Sequence, residues 1–329
     1  AQMRYLDDGS LLTAGWDGLL KRWTFTNEGA PVGEVLNSFA YQLAGLTLAP
    51  GQEQIHVSSE RGDVLRVSVS LDRHPIGLLL KGTSSAFGLA QTPDKPGLMT
   101  AMNNGLSRFH LNEDGSVKQT DFWPTPAVRS IARAEAARVQ FVAMQNDVFL
   151  IRDQDGSDTL PTKVFTADTP IDWIRSDENG QLMMVKSGNA VKLLAFDKGY
   201  QHGCPLNFAP TPPEAIKLAA FRPRSSELVI TQKNTAQIWR VTGNNDDCQN
   251  VQLAQADYAI PSGLGDILTV GFSPSGQHLW LGTFTGQIYS VDLQDPSTGT
   301  TLLEGTSTLE PSALTASNDT LVVGDTMGR

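Results

Sequence analysis

Gly9-Ser10-Leu11-Leu12-Thr13-Ala14-Gly15-Trp16-Asp17-Gly18-Leu19-Leu20-Lys21-Arg22-Trp23 decides how the rest of the chain is read. It is a short apolar strand, a tight polar turn, and a second strand that ends on a large apolar residue. The same pattern recurs at 54–67, 97–109, 138–151, 181–194, 227–239 and 277–291. An eighth copy begins at Asp319, with a strand over 321–324 and a turn at Thr326-Met327-Gly328 before the final Arg329.

Copies of one hairpin have a measurable period. With Gly18, Gly62, Asn104, Asn146, Asn189, Asn234, Gly286 and Gly328 as anchors in the turns, the successive spacings are 44, 42, 42, 43, 45, 52 and 42. Every anchor is Gly or Asn, the residues that best tolerate the left-handed backbone of a hairpin turn. Five residues past the first seven anchors stand Trp23, Val67, Phe109, Ile151, Leu194, Trp239 and Val291. All are large and apolar. In a chain that is 40% hydrophobic, such a coincidence arises on the order of once in several hundred trials.

The segments between hairpins read as two further strands. Apolar runs precede the hairpins at 43–48, 86–90, 128–132, 171–175, 216–221 and 267–272, and others follow them at 77–80, 164–166, 251–254 and 301–303. Four short strands per repeat of this length is the arithmetic of a β-propeller blade. A helical solenoid needs apolar residues at three- and four-residue spacing over ten or more positions, and no stretch provides that. The least patterned segment, 244–266, carries the 52-residue interval and reads as an extended outer loop.

A lone four-stranded blade cannot bury both faces; stacking blades does so, and closing them into a ring leaves only short edges. The sequence therefore predicts an all-β fold, a single β-propeller domain of four-stranded antiparallel blades over 1–329. Seven repeats are complete and the eighth supplies two inner strands. Eight blades with the last incomplete is favoured, and seven is the alternative.

Composition narrows the functional classes. The 329 residues include 30 Gly and 18 Pro, which suits a turn-rich fold. Twenty-five basic against 35 acidic residues leave a net charge of −10, which argues against a general phosphate-backbone binder. No apolar run reaches the roughly 18 residues of a membrane span, and the first residues, Ala1-Gln2-Met3-Arg4-Tyr5, lack the shape of a signal peptide. Neither a nucleic-acid nor a membrane partner is expected. Cys204 and Cys248 are too few for a disulfide framework and are expected as two separate thiols, which fits a cytoplasmic protein.

These repeats resemble the WD-repeat family of β-propellers over nearly the whole chain. The clearest unit runs from Asp8-Gly9 through Asp17-Gly18 to Trp23, and 272–276 leading to Val291-Asp292 is similar. The family's turn aspartate matches Asp17; at the equivalent place the other units have Arg61, Asn103, Gln145, Gly188, Lys233, Thr285 and Met327. The closing Trp-Asp pair is split, with Trp23 and Trp239 keeping the tryptophan and Asp292 the acid. No unit has the family's Gly-His before its first strand, so the repeats are divergent.

No convergent chemistry is visible in the sequence. His56, His74, His110, His202 and His278 fall in different units without a second ligand at metal spacing. No phosphate-cradling glycine loop and no Gly-x-Ser-x-Gly nucleophile turn occur. Asp153-Gln154-Asp155-Gly156-Ser157-Asp158 has calcium-loop spacing but lacks the later glutamate, and reads as an acidic hairpin. Asn244-Asn245-Asp246-Asp247 reads as a solvated loop, and Arg61-Gly62-Asp63 as turn chemistry. Lys21-Arg22 and Arg222/Arg224 are too few for a phosphate-reading stripe, and Trp123, Trp173 and Trp280 fit a core. No cofactor and no metal are expected.

The resemblance implies a non-enzymatic scaffold or sensing domain that takes protein partners on one face. In that family the turn inside each hairpin and the loop entering the next unit share the narrower face. Trp16, Asp17, Glu60, Arg61, Asn103, Gln145, Lys233, Phe284 and Thr285 are placed there, a polar and aromatic mixture suited to a protein partner. The abrupt start and half-unit end predict a piece of a longer multidomain protein. The alternative is a propeller hydrolase or lactonase with a metal in the axial channel, although the innermost strands begin mainly with apolar residues. A purely architectural module is a third reading.

Overall fold

A strand covered on both faces is buried at every position, not at alternate ones. That pattern marks the second strand of the repeats: all of Gly97–Met102, all of Val139–Met144 and all of Glu227–Thr231 are buried. The fourth strands invert it, Val32–Ser38 and Thr162–Thr166 each keeping a single buried residue. Burial thus falls from the inner to the outer strands of a sheet, as expected when sheets stack face to face.

The computed structural model describes residues 2–25, 31–49, 54–69, 76–80, 86–91, 97–112, 117–134, 136–152, 161–188, 190–197, 199–200, 203–206, 208–209, 215–243, 251–258, 260, 263–294, 300–302, 311–316 and 321–325. Sheet one holds β1 (Gln2–Tyr5), β2 (Leu11–Ala14), β3 (Leu19–Thr24) and β4 (Val32–Ser38). Sheet two holds β5 (Leu43–Leu48), β6 (Gln54–Ser59), β7 (Val64–Ser68) and β8 (Ile76–Leu80). Sheet three holds β9 (Ala86–Gln91), β10 (Gly97–Met102), β11 (Gly105–Leu111) and β12 (Val117–Pro124). Sheet four holds β13 (Val128–Ala134), β14 (Val139–Met144), β15 (Asp147–Arg152) and β16 (Thr162–Thr166). Sheet five holds β17 (Ile171–Ser176), β18 (Leu182–Ser187), β19 (Ala190–Phe196) and β20 (Gly203–Leu206).

Sheet six adds a fifth strand. β21 (Phe208–Ala209) lies parallel to β25 (Gln252–Gln255), outside β22 (Leu218–Phe221), β23 (Glu227–Thr231) and β24 (Ala236–Thr242). Sheet seven holds β26 (Ile267–Phe272), β27 (His278–Thr283), β28 (Ile288–Asp292) and β29 (Thr300–Leu302). Among the described residues, β30 (Pro311–Ala316) and β31 (Leu321–Asp325) pair only with each other. The fold is an all-β propeller of four-stranded antiparallel blades. The favoured count is corrected: seven sheets are full blades, the number given as the alternative, and the remaining strands form a two-stranded sheet. The strand expected at 251–254 is β25, which pairs with β24 inside the segment otherwise read as an outer loop.

Contacts divide the chain into two compact units, Ala1–Ile174 and Arg175–Arg329. In the first, Leu12, Ala14 and Leu20 of sheet one pack with Leu43, Leu46, Ile55, Val57 and Val67 of sheet two. Val64 of sheet two meets Leu98 and Phe109 of sheet three, and Met99, Ala101 and Leu106 meet Val128, Val142 and Ile151 of sheet four. In the second unit Val229 and Ile238 pack with Ile267, Leu279, Leu281 and Val291. The seven residues five past the anchors recur in one register, opposite the second strand: Trp23 faces Leu11, Val67 Ile55, Phe109 Leu98, Ile151 Gln140, Leu194 Met183, Trp239 Leu228 and Val291 Leu279. All are buried except Trp23, which is half-buried and donates its indole N–H to Thr13 Oγ1 at 3.0 Å.

The expectation of two separate thiols is overturned, because Cys204 is disulfide-bonded. Strand pairing supplies the physical reason: β21, four residues beyond Cys204, lies beside β25, so the chain leaving sheet five runs along the edge of sheet six. Cys248 lies outside the described residues.

Candidate functional site

Two kinds of turn close the second-to-third-strand hairpins. In three of them the Gly anchor donates its N–H to the carbonyl three residues back: Gly18 to Gly15, Gly62 to Ser59 and Gly286 to Thr283, at 2.9–3.1 Å. The residue at the turn's start then donates to the carbonyl just past the glycine: Gly15 to Leu19, Ser59 to Asp63 and Thr283 to Gln287. The glycines have φ of +77°, +86° and +81°, the left-handed position of a hairpin bulge. Trp16-Asp17, Glu60-Arg61 and Phe284-Thr285 are the two middle residues of these turns, and all six are exposed. The other kind closes over two residues, with Met102 opposite Gly105 and Met144 opposite Asp147. Asn103 and Gln145 are the first of each pair, both exposed. Gln145, not Asn146, takes the left-handed backbone there, at φ 52°.

The strand that opens each next sheet braces the turns. Leu43 N–H donates to Gly15 O at 3.1 Å, Ile171 N–H to Gln145 O at 2.7 Å and Ile267 N–H to Lys233 O at 3.1 Å. All three donors are buried strand starters, Leu43 and Ile267 at 0% exposure and Ile171 at 1%. The residue before the strand accepts from its own sheet's turn: Gln42 O from Glu60 N–H and Asp266 O from Phe284 N–H. Turn and entering loop therefore lie side by side, as the resemblance implied, on a hydrogen-bonded frame that leaves the side chains outside.

The side chains at these positions do not all remain available. Asp17 is used locally: Oδ1 accepts from Leu19 N–H at 3.0 Å and Oδ2 lies 3.7 Å from Lys21 Nζ. Thr285 is likewise tied, 2.9 Å from Thr283 Oγ1 and 3.2 Å from Gln287 Oε1. Trp16 is 71% exposed and Phe284 54%. Arg61 sits with its guanidinium 5.7 Å from the Tyr41 ring, which stacks on Phe39 at 5.9 Å. Burial and the charge of Asp63 push the Tyr41 hydroxyl up, partly offset by Arg61. In the first unit the structure thus brings Trp16 together with Phe39, Tyr41 and Arg61 around one braced loop. In the second, Lys233 and Phe284 flank Asp266, whose carboxylate takes Lys217 Nζ at 2.6 Å.

Phe39, Tyr41, Lys217 and Asp266 were missed by sequence reasoning. They sit in or next to strand-entering loops, and their signal was available: Phe39-Ala40-Tyr41 is an aromatic pair immediately before the predicted strand at 43–48.

At the other end of the strands in the second unit, a pocket of about 200 Å³ lies between the first turns of sheets five and six, lined by residues including Arg175, Asp177, Arg222 and Arg224. Burial raises the Asp177 carboxyl, against backbone hydrogen bonds that include Leu182 N–H at 2.8 Å. No candidate residue lines it. Among the described residues, no three His, Cys, Asp or Glu side chains gather at metal-holding distance. No helix of the described residues is long and apolar enough to cross a membrane. His56 is buried, His110 pairs with Asp121 at 2.7 Å and His278 stacks on Trp280. His74, His202, the 153–158 hairpin, the 244–247 loop, Asn189 and the turn at 326–328 lie outside the described residues.

No protein-family model matches the sequence, and no curated protein matches it. Among solved structures, the crystal structure of the C-terminal WD40 domain of Sif2 aligns with a TM-score of 0.67 and 12% identity, covering 100% of this chain and 93% of that one. At that identity the likeness shows the fold. Since 1731 solved chains are similar, the fold alone does not single out an activity or a partner.

Proposed function

We propose that this WD40-type β-propeller is a non-enzymatic scaffold that captures protein partners on its second-to-third-strand turns and the loops braced to them. One observation carries the reading: Trp16 is 71% exposed at the middle of a turn whose backbone is hydrogen-bonded on both sides. A large aromatic held on a rigid support in solvent is costly to leave uncovered and typical of a binding hot spot. Arg61, stacked over Tyr41, and Phe284 extend the same chemistry to other turns. The net charge of −10 supports leaving nucleic acid out.

Sensing of a protein ligand is the finer form of this proposal, with the turns as the reading surface. The hydrolase or lactonase reading gains nothing from the described residues. The cytoplasmic address rested on reduced thiols, and the bonded state of Cys204 removes that ground. Affinity capture with wild-type protein and with Trp16→Ala, Arg61→Ala and Phe284→Ala tests the proposal. Loss of a partner by variants that keep the wild-type unfolding midpoint is the expected result. Undiminished capture by all three would clear the face of this role.

A further inference from the structure

We infer that Cys204 and Cys248 are joined as a covalent latch between sheets five and six, and that the protein works where thiols are oxidised. Cys204 is disulfide-bonded, and the sequence holds one other cysteine. Cys204 sits in β20, the outer strand of sheet five, opposite Ala195. Four residues later the chain has left that sheet: Phe208 pairs in parallel with Leu253 and Ala209 with Ala254, at the outer edge of sheet six.

Elimination names the partner, because the sequence holds two cysteines and one of them is bonded. In sequence, Cys204 precedes Phe208 by four positions and Cys248 precedes Leu253 by five, so each cysteine stands a few residues before its strand of the parallel pair. Neighbouring strands lie about 4.8 Å apart, within the span a disulfide bridges. The crosslink also accounts for a strand that is otherwise hard to explain. β21 has two residues, and a two-residue parallel pair has too few hydrogen bonds to hold a strand on an edge by itself. Restricting the unfolded chain and holding β21 in place, the bond keeps the edge of β25 covered.

Reduction would reverse this. A dithiol reductant attacks the bond, passes two electrons and two protons to give two cysteine thiols, and closes to its own disulfide. In a thiol-rich cytosol that exchange keeps such bonds open, whereas an oxidising compartment preserves them. The partners of the proposed turn face are then proteins met in that compartment; the latch itself does not depend on that face.

The test starts from intact protein equilibrated in an oxidising glutathione buffer, thiol-blocked and digested without reductant. A crosslinked peptide pair containing Cys204 and Cys248 is expected, two hydrogens lighter than the separate peptides. Adding a dithiol should lower the wild-type melting temperature on the order of 5 °C. Cys204→Ser, Cys248→Ser and the double variant should melt at that lower temperature and ignore the reductant. Blocking reagent on both cysteines of the oxidised protein would overturn the inference, as would a wild-type melting temperature that the dithiol leaves in place. Both readouts use wild-type protein, so neither depends on the variants folding.

Discussion

The backbone N–H of Phe284 donates to the carbonyl of Asp266 at 2.7 Å, while the ring of Phe284 stays 54% exposed. The main chain is committed to the frame and the side chain is not. Phe284→Ala keeps the hydrogen bond and should change stability by no more than about 0.5 kcal/mol. If the ring is an anchor for a partner, its loss should weaken binding by about 2 kcal/mol, roughly 30-fold. Chemical unfolding alongside titration of a captured partner measures both. A fall in stability matching the fall in binding would make the ring structural.

Gly18 and Gly9 separate two costs. Both have left-handed backbone, φ +77° and +81°. A Cβ on Gly18 would lie 2.3 Å from the Phe39 carbonyl oxygen, which is backbone and cannot move aside cheaply, whereas one on Gly9 meets nothing within 4 Å. Gly9→Ala should therefore cost the backbone strain alone, about 1–2 kcal/mol. Gly18→Ala should cost clearly more, because it also pries the turn from the loop that carries Phe39 and Tyr41. Equal losses in urea unfolding would show that the brace contributes nothing.

Glu227 is buried, yet its carboxylate is fully engaged. Arg222 reaches Oε2 at 2.5 Å, Arg240 reaches Oε1, and the Tyr258 hydroxyl stands 3.2 Å from Oε2. Burial alone would raise the carboxyl; hydrogen bonds and charge from Arg240 and Arg222 outweigh it and hold the group below its ordinary 4.5. Its contribution is therefore complete above pH 4.5 and lost as pH falls below that value. Glu227→Gln leaves the largely buried Arg222 guanidinium without its carboxylate, while the exposed Arg240 is resolvated by water, and should cost about 1–3 kcal/mol at neutral pH. The variant should also lose less than wild type on acidification below 4.5. Unfolding midpoints across that range decide it.

The repeat was legible because a residue sandwiched between sheets cannot be polar without loss, so the position five past each anchor kept its character through Trp23, Phe109, Leu194 and Val291. Turn geometry was only half legible. Gly18, Gly62 and Gly286 mark four-residue turns, but the two-residue turn at Gln145-Asn146 puts the left-handed backbone on the glutamine, since loop length sets that place. Hydrogen bonds such as Ile171 to Gln145 join backbone atoms and leave no side-chain trace. The bonded state of Cys204 was hidden for a related reason: the pairing of β21 with β25 links residues over forty positions apart through two residues of strand.

His56 offers the sharpest pH test. It lies at 2% exposure in β6, between Thr47 on β5 and Arg66 on β7, and neither ring nitrogen has a hydrogen-bond partner among the described residues. Burial, with the nearby Arg66 charge, pushes its value down from 6.5 to about 4. Below 6.5 the unfolded chain takes up a proton that the folded protein refuses, so stability is complete above 6.5 and drains away as pH falls toward 4. The drop over that window is about 3 kcal/mol. It precedes the loss from Glu227, which starts lower. His56→Leu should remove the drop while keeping the site filled, leaving a nearly flat unfolding midpoint between about pH 7 and 5. A variant that loses stability as steeply as wild type through that range would mean that His56 accepts its proton in the folded protein.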